Sequence, residues 1–474
     1  MINAKEFRHH AHQFVDWMAD FLENVENLPV KSPVLPGEIY QKIPDAPPSE
    51  SEPIERIMSD FQQIILPGMT HWQSPNFFAY FPANSSYPSV LAEMLTATLG
   101  AQCMVWETSP AATELEEKMM NWLRQMLGLP ASWDGVIQET ASSSTLIAML
   151  SAREKYSDYQ INEKGIHHQK SFRVYCTSET HSSLEKAVKI TGLGKKNLIR
   201  VDVDDQFRMR PEALEQAIET DLKNHKAPMA VVATIGTTSS TAIDPLADIA
   251  RICRKYNVWL HVDAALAGTA LVLPEYRWMI RGIEDADSFV FNPHKWMFTN
   301  FDCSAYFIKD RETLIRTFGI LPEYLKTRTR GQVNDYRDWG IALGRRFRAL
   351  KLWFVLRNFG VKGIQEKVRL HLTLAQNLAK EIEQHPDFQL MVKPVLNTIC
   401  FRFRPAGLED EVKLNELNEN LLNSVNGTGK LFISHTRLQG KYTLRMVTAQ
   451  TYVEERHVIA AWDLIRTTAS GMVR

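Results

Sequence analysis

Ser288-Phe-Val-Phe-Asn-Pro-His-Lys-Trp296 is the stretch on which the reading of this chain turns. Phe289, Val290 and Phe291 form a short apolar run that reads as a buried strand, stopped by Asn292-Pro293. Two residues later Lys295 stands between His294 and Trp296. Ligands in α/β sheets sit beyond the carboxyl ends of strands, so this amine is placed where chemistry happens. Flanked by an indole and an imidazole it is easily desolvated, which lowers its pKa and makes it a nucleophile for a carbonyl. Taken alone it reads equally well as a surface lysine after a buried strand. Its partner lies upstream in His261-Val-Asp-Ala-Ala265, where a second buried run, 258–260, leads to an aspartate with no basic neighbour in sequence. A lysine for a Schiff base and a buried aspartate for a pyridinium nitrogen are the minimal protein equipment for pyridoxal phosphate (PLP).

Around these two segments the chain alternates. Strands are predicted at 136–138, 172–177, 198–203, 229–235, 258–262, 288–291 and 304–308, with helices at 182–191, 211–224 and 246–256. Val/Ile/Ala-rich strands alternating with helices argue for an α/β fold with a mostly parallel central sheet covered on both faces. Neither GxGxxG nor GxxxxGK[ST] occurs, so those two nucleotide-binding folds lose support. Glu139-Thr-Ala141-Ser142-Ser-Ser-Thr145 follows the first of these strands and opens a helix. A hydroxyl-rich helix start offers backbone N–H groups and the positive end of the dipole, a phosphate cradle without glycines. A simple capped helix is the plainer reading of the same residues.

Before this core, a capping box at Asn3 and Glu6 starts an amphipathic helix through Val25, and a proline-rich arm leads to a second helix at 54–66. The aromatic, proline-punctuated run His71-Trp72 to Tyr80-Phe81-Pro82 is of the kind that lines a pocket or an interface. After the core, the polar, aperiodic stretch 318–348 carries Tyr324 and reads as an active-site flap. A long helix at 361–384, strands at 388–392 and 398–403, a helix at 412–425, a hairpin around Gln439-Gly440 and a last helix at 453–468 read as a small α+β domain. Three regions result: an N-terminal helical arm, 1–86, expected to pack on a partner subunit; an α/β domain, 87–352; and a C-terminal domain, 353–474.

The chain has 474 residues, 45% of them hydrophobic and 23% charged, with a net charge of -1, which excludes the strongly basic balance of nucleic-acid and anionic-membrane binders. No apolar run is long enough to cross a bilayer, and no signal peptide is read at the N-terminus. Five scattered cysteines without a CxxC pair argue for a reducing compartment, the cytoplasm by default, and against a thiolate metal site.

Asn292-Pro-His-Lys295-Trp, His261-Val-Asp263-Ala-Ala265, Gln138-Glu-Thr-Ala-Ser142, Thr180-His181-Ser-Ser183 and Leu343-Gly-Arg-Arg346-Phe-Arg348 together resemble the group II PLP-dependent decarboxylases, and most of all the aromatic-L-amino-acid decarboxylases. The resemblance runs from about Phe7 to Leu464 and includes Phe77 to Pro82 and Asn300 to Ser304. It implies fold type I of the PLP enzymes, a homodimer with active sites at the interface, and decarboxylation of an aromatic L-amino acid to the amine. It implies Lys295 as the cofactor-bearing residue, Asp263 on the pyridine nitrogen and His181 stacked on the ring. Ala141, Ser142, Asn292 and Ser288 would hold the phosphate, Thr234 and Ala265 would line the cofactor, and His294 would lie beside the lysine. Tyr324 matches the tyrosine that protonates the substrate α-carbon. Trp72, Tyr80, Phe81, Pro82, Ala83, His181 and Gly344 are the implied substrate contacts. Leu266, Ala83 and Glu139 depart from the usual tyrosine, threonine and glycine of that family.

Three other readings stand beside this one. An aldehyde synthase shares the cofactor, but there the flap tyrosine is typically phenylalanine or the stacking histidine is asparagine, whereas Tyr324 and His181 both stand here. A metal-dependent hydrolase could use His261, Asp263 and His294, because His-x-Asp in a strand points both side chains to one face. It leaves Lys295 and the Ser/Thr loop unexplained. A non-catalytic scaffold would not need Lys295, Asp263, His181 and Tyr324 intact.

Overall fold

The computed structural model describes residues 2–166, 171–320 and 331–472. It separates into two units, which are described in turn. The larger comprises Ala83–Thr373 and Pro394–Thr398. Its centre is a seven-stranded sheet of β1 (Asp134–Gln138), β2 (Phe172–Thr177), β3 (Leu198–Val201), β4 (Ala227–Thr234), β5 (Trp259–Asp263), β6 (Ser288–Phe291) and β7 (Ser304–Ile308). The spatial order is β1-β7-β6-β5-β4-β2-β3. Strand β7 runs antiparallel to both neighbours, so β1 points the same way as the other five. The interior strands are apolar throughout because both faces are covered; every residue of β5, β6 and β7 is buried. Six carboxyl ends therefore lie along one edge of the sheet, and β1, β2, β4, β5 and β6 each deliver a predicted site residue there.

The smaller unit joins the two ends of the chain, Met1–Pro82 with Leu374–Lys393 and Ile399–Arg474. Its four-stranded sheet has the order β10-β11-β9-β8, built from β8 (Phe388–Val392), β9 (Thr398–Phe403), β10 (Ser434–Leu438) and β11 (Lys441–Val447). Gln439 and Gly440 both take positive φ, the two-residue turn that matches strand twist, so the predicted hairpin closes where expected. Phe388, Phe401, Leu444 and Trp462 fill its core. The N-terminal segment is sewn to this sheet: Val30 N–H donates to Gly429 O (2.8 Å), Phe78 N–H to Phe432 O (2.8 Å) and Val447 N–H to Phe78 O (2.9 Å). The first helix, Ala4–Asn24, has the predicted capping box at Asn3 and Glu6 but buries none of its residues, and Phe7 and Phe14 stay exposed.

Some expectations shift. The segment read as 54–66 is an α-helix only over Ile54–Asp60 and then widens through Phe61–Ile65. The helix expected at 361–384 is present as the second of two helical segments within Arg348–Gln384; they part at Gly360, whose φ is 64°, and the first segment was not expected. The division between the units falls inside the second, at Thr373 and Leu374. No helix among the described residues is long and apolar enough to cross a membrane.

Candidate active site

The carboxyl edge of the large sheet collects the residues that carry chemistry. Asp263 is the last residue of β5 and pairs in register with Thr234, the last of β4. Its carboxylate is buried, and Oδ1 accepts the Ala265 N–H at 3.0 Å. The second oxygen has no protein partner among the described residues. Ala265 in turn accepts the Asn292 N–H (2.9 Å), so the turns leaving β5 and β6 are tied together. Lys295 follows β6 in the short helix Pro293–Trp296 and is half-buried.

His181 follows β2 at the start of the helix Ser183–Ile190. Its Nδ1 accepts the Ser183 N–H at 3.2 Å and contacts Ser183 Oγ at 2.8 Å. Because a backbone N–H can only donate, Nδ1 is the acceptor and any proton sits on Nε2. His181 thus caps the start of this helix, and the bond orients its ring. Burial lowers its pKa, the Lys295 charge lowers it further, and Asp263 opposes them, so the three residues share one electrostatic environment.

His294 is locked differently. Its Nδ1 accepts the Cys303 N–H (2.9 Å), its ring lies 4.7 Å from Phe301, and burial pushes its pKa down to about 3. It is a neutral residue with Nε2 as the protonated nitrogen. The turn bearing Lys295 is fixed from beneath. Trp296 Nε1 donates to His371 Nδ1 (2.9 Å), and Asn84 Nδ2 donates to the Lys295 carbonyl (2.7 Å). Asn84 was not singled out from sequence, because nothing local marks a residue whose partner lies 211 positions away.

The phosphate-sized end of the site is the N-terminus of Ala141–Tyr156, sixteen residues long. Thr140 caps it by accepting the Ser143 N–H (3.3 Å), which leaves the Ala141 and Ser142 amides at the mouth and the Ser142 side chain exposed. Two buried oxygens at the same edge, Thr234 Oγ1 and Asn292 Oδ1, have no hydrogen-bond partner among the described residues. Buried polar atoms are rarely left so, and a polar group seated between them would satisfy both. An anionic phosphate at the helix start, a ring nitrogen at Asp263 and an aldehyde at Lys295 fit this donor and acceptor set.

Ser288 is a correction. It is the first residue of β6, at the far end of the strand, and its hydroxyl is engaged by Trp259 Nε1 (3.2 Å) and His261 Nδ1 (2.9 Å). It buttresses the sheet and is not available to a phosphate. His261 is buried beside it with its pKa pushed down to about 4. Among the described residues no three His, Cys, Asp or Glu side chains are grouped to hold a metal ion, so His261, Asp263 and His294 do not assemble into the alternative centre.

The aromatic run belongs to the smaller unit. Exposed Trp72 stacks on Phe77 (4.4 Å) and Tyr80 (6.1 Å), Arg445 lies over the Phe81 ring (4.7 Å) and donates to the Tyr80 carbonyl (2.8 Å), and Pro82 ends the unit. Ala83 opens the larger unit, half-buried, and Gly344 is exposed in it. Tyr324 lies outside the described residues.

The family model for the pyridoxal-dependent decarboxylase conserved domain matches residues 36–404. The chain belongs to this family. It is 42% identical to phenylacetaldehyde synthase of Arabidopsis thaliana, over 100% of this chain and 97% of the relative. It is also 42% identical to aromatic-L-amino-acid decarboxylase of Mus musculus, over 100% of this chain and 99% of the relative. The crystal structure of Oryza sativa TDC with PLP and tryptamine superposes with a TM-score of 0.97 at 34% identity, covering 100% of this chain and 99% of that one. The cofactor of the family is therefore the group that the strand-end residues fit.

Proposed function

We propose that this chain decarboxylates an aromatic L-amino acid to the corresponding amine and CO2. The observation that carries the reading is the convergence of Lys295, Asp263 and His181 at three parallel strand ends, beside buried oxygens of Thr234 and Asn292 that lack a partner among the described residues. When bound, PLP supplies an electron sink for the pair left on the substrate α-carbon as CO2 departs. Asp263 is suited to hold a proton on a ring nitrogen, because a buried carboxylate is stabilised by a positive partner. Lys295 would hold the cofactor, and Ala141, Ser142 and Asn292 would receive its phosphate. His181, oriented by its bond to Ser183, would stack on the ring. His294 offers an Nε2–H donor beside the lysine. Tyr324 delivers the proton that completes the amine.

The aromatic substrate class is supported by the murine relative's name and by the tryptamine in the rice structure. The Arabidopsis relative favours a second reading, oxidative formation of an aldehyde. His181 and Tyr324 support the decarboxylase. A homodimer fits the exposed apolar stripe Tyr87, Leu91, Leu95 and Leu99 on the helix Tyr87–Leu99, one face at helical spacing. The cytoplasm fits five buried cysteines, all free. Incubating the PLP-loaded protein with single L-amino acids and quantifying amine and CO2 tests the reading. Amine from tryptophan, 5-hydroxytryptophan, DOPA, tyrosine or phenylalanine is expected; activity confined to histidine or glutamate would overturn it.

A further inference from the structure

Gln102 has an amide whose two ends face different things. Its Oε1 accepts the Arg345 N–H at 2.7 Å, and its backbone carbonyl accepts Thr108 Oγ1 at 2.9 Å. A backbone N–H only donates, so the amide cannot flip, and Nε2 is turned toward Gly344. That nitrogen lies 3.2 Å from where a Cβ on Gly344 would stand. Its N–H groups have no acceptor among the described residues, and Gln102 is exposed. The loop carrying Gly344 is also anchored: the buried Arg345 guanidinium donates to Glu116 (2.6 Å) and to the carbonyl of Ile137 (2.8 Å), one residue before the end of β1. The Gln102 donor is thus fixed to the strand that leads into the Ala141 helix start.

We propose that Gln102 reads the substituent on the substrate ring, its Nε2–H donating to a ring hydroxyl oxygen so that hydroxylated aromatic amino acids are preferred over their unsubstituted counterparts. The inference rests on the proposed aromatic substrate and on Gly344 lining the ring pocket. A glycine there brings the ring edge up to the amide. A phenyl or indole edge offers only C–H and N–H groups to a donor, whereas a phenol or catechol offers oxygen lone pairs. A neutral hydrogen bond of this kind separates the paired substrates by about three- to tenfold.

The test compares kcat/KM for tyrosine against phenylalanine and for 5-hydroxytryptophan against tryptophan, in the PLP-loaded wild-type enzyme and in Gln102→Met. The wild type is expected to favour the hydroxylated member of each pair. Gln102→Met should bring each ratio close to one by lowering the hydroxylated member alone, leaving phenylalanine and tryptophan within about twofold of wild type. Equal loss for both members would assign Gln102 a structural role through Arg345 and overturn the inference, as would a wild-type ratio near one or an unchanged ratio in the variant. Gln102→Leu provides the second variant, with neither a donor nor an acceptor on its side chain. It too should erase the preference between tyrosine and phenylalanine, and a preserved preference counts against the proposal. Failure to turn over any of the four substrates would instead defeat the substrate reading beneath it.

Discussion

The side chain of Asn84 holds the backbone of Lys295. Its Nδ2 donates to the Lys295 carbonyl at 2.7 Å while its own N–H donates to the His294 carbonyl at 3.0 Å, so one residue closes both carbonyls of the turn that carries the amine. Removing the amide in Asn84→Ala frees that turn without touching the chemistry. We expect folding to be retained and kcat/KM to fall by about tenfold, the worth of one buried hydrogen bond. Wild-type kinetics in the variant would show that the turn is held adequately by Trp296 and His371.

Lys295→Ala should lose the visible absorbance that borohydride otherwise fixes to the protein, together with turnover. The spectrum before and after reduction checks the first part, and amine production the second. A variant that still decarboxylates at near the wild-type rate would place the cofactor elsewhere.

Gly344→Ser adds a Cβ 3.2 Å from Gln102 Nε2, a contact that the amide can relieve only by moving. With Gly344 proposed as a substrate contact, the added atoms would advance toward the ring, and the largest ring would suffer most. We expect kcat/KM for tryptophan to drop by about tenfold and that for tyrosine by less, since lost apolar contact and added crowding each cost about 1–3 kcal/mol. Substrate profiles of the two proteins decide it, and an equal loss across ring sizes would remove Gly344 from the pocket.

Tyr324→Phe keeps a ring and removes its acidic proton. After CO2 leaves, the α-carbon takes either a proton, giving the amine, or dioxygen, giving with water an aldehyde, ammonia and hydrogen peroxide. Slower protonation gives oxygen time to react. The variant should retain the cofactor, release less amine and consume oxygen, as an electrode trace run beside product chromatography would record. Unchanged amine with no oxygen uptake would make His181 or a water the proton source.

Acid should destabilise the fold through its buried imidazoles. Burial pushes His261 down to about 4 and His294 and His371 to about 3, all from 6.5. Their stability contribution is present above pH 6.5 and is lost as pH falls toward those values, because the unfolded chain takes up protons that the native state refuses. Asp244 works the other way: burial raises it to about 6, so the native state holds a proton that the unfolded chain has released. His71 and His181, also lowered by burial, act with the imidazoles, and Glu179 and Asp287, raised by burial, act with Asp244. The imidazoles outnumber the carboxyls, so unfolding takes up protons and stability falls with pH. Denaturant midpoints at pH 7, 6 and 5 should fall in that order; a flat series would contradict it.

The positions of Lys295 and Asp263 were legible in the sequence because Asp263 ends an apolar strand and Lys295 follows one within a single turn. The Ser142 helix start was legible for the same reason. Ser288 misled because its role is set by register: His261 and Ser288 are cross-strand partners, and no pattern within 288–296 reveals which strand lies alongside. Asn84 was missed because its partner is distant in sequence. The helical segment before Gly360 was not read, whereas the one after it starts at the expected residue. Resemblance of several motifs supplied roles for His181 and Gly344 that their local surroundings do not dictate.

The smaller unit is made from both ends of the chain, and this sets an order of events during synthesis. Residues up to Pro82 leave the ribosome first, yet Gly429, Phe432 and Val447, whose backbones they pair with, are made last. At about 5–20 residues per second the opening segment waits roughly 20 to 80 s for its partners. The seven-stranded sheet, contiguous but for a short return, can close in that interval, while Phe77, Phe78 and Val30 remain without their final burial. The order of synthesis thus predicts a stage in which the sheet can fold while the apolar segment around Phe77 and Phe78 is still open to chaperones and proteases.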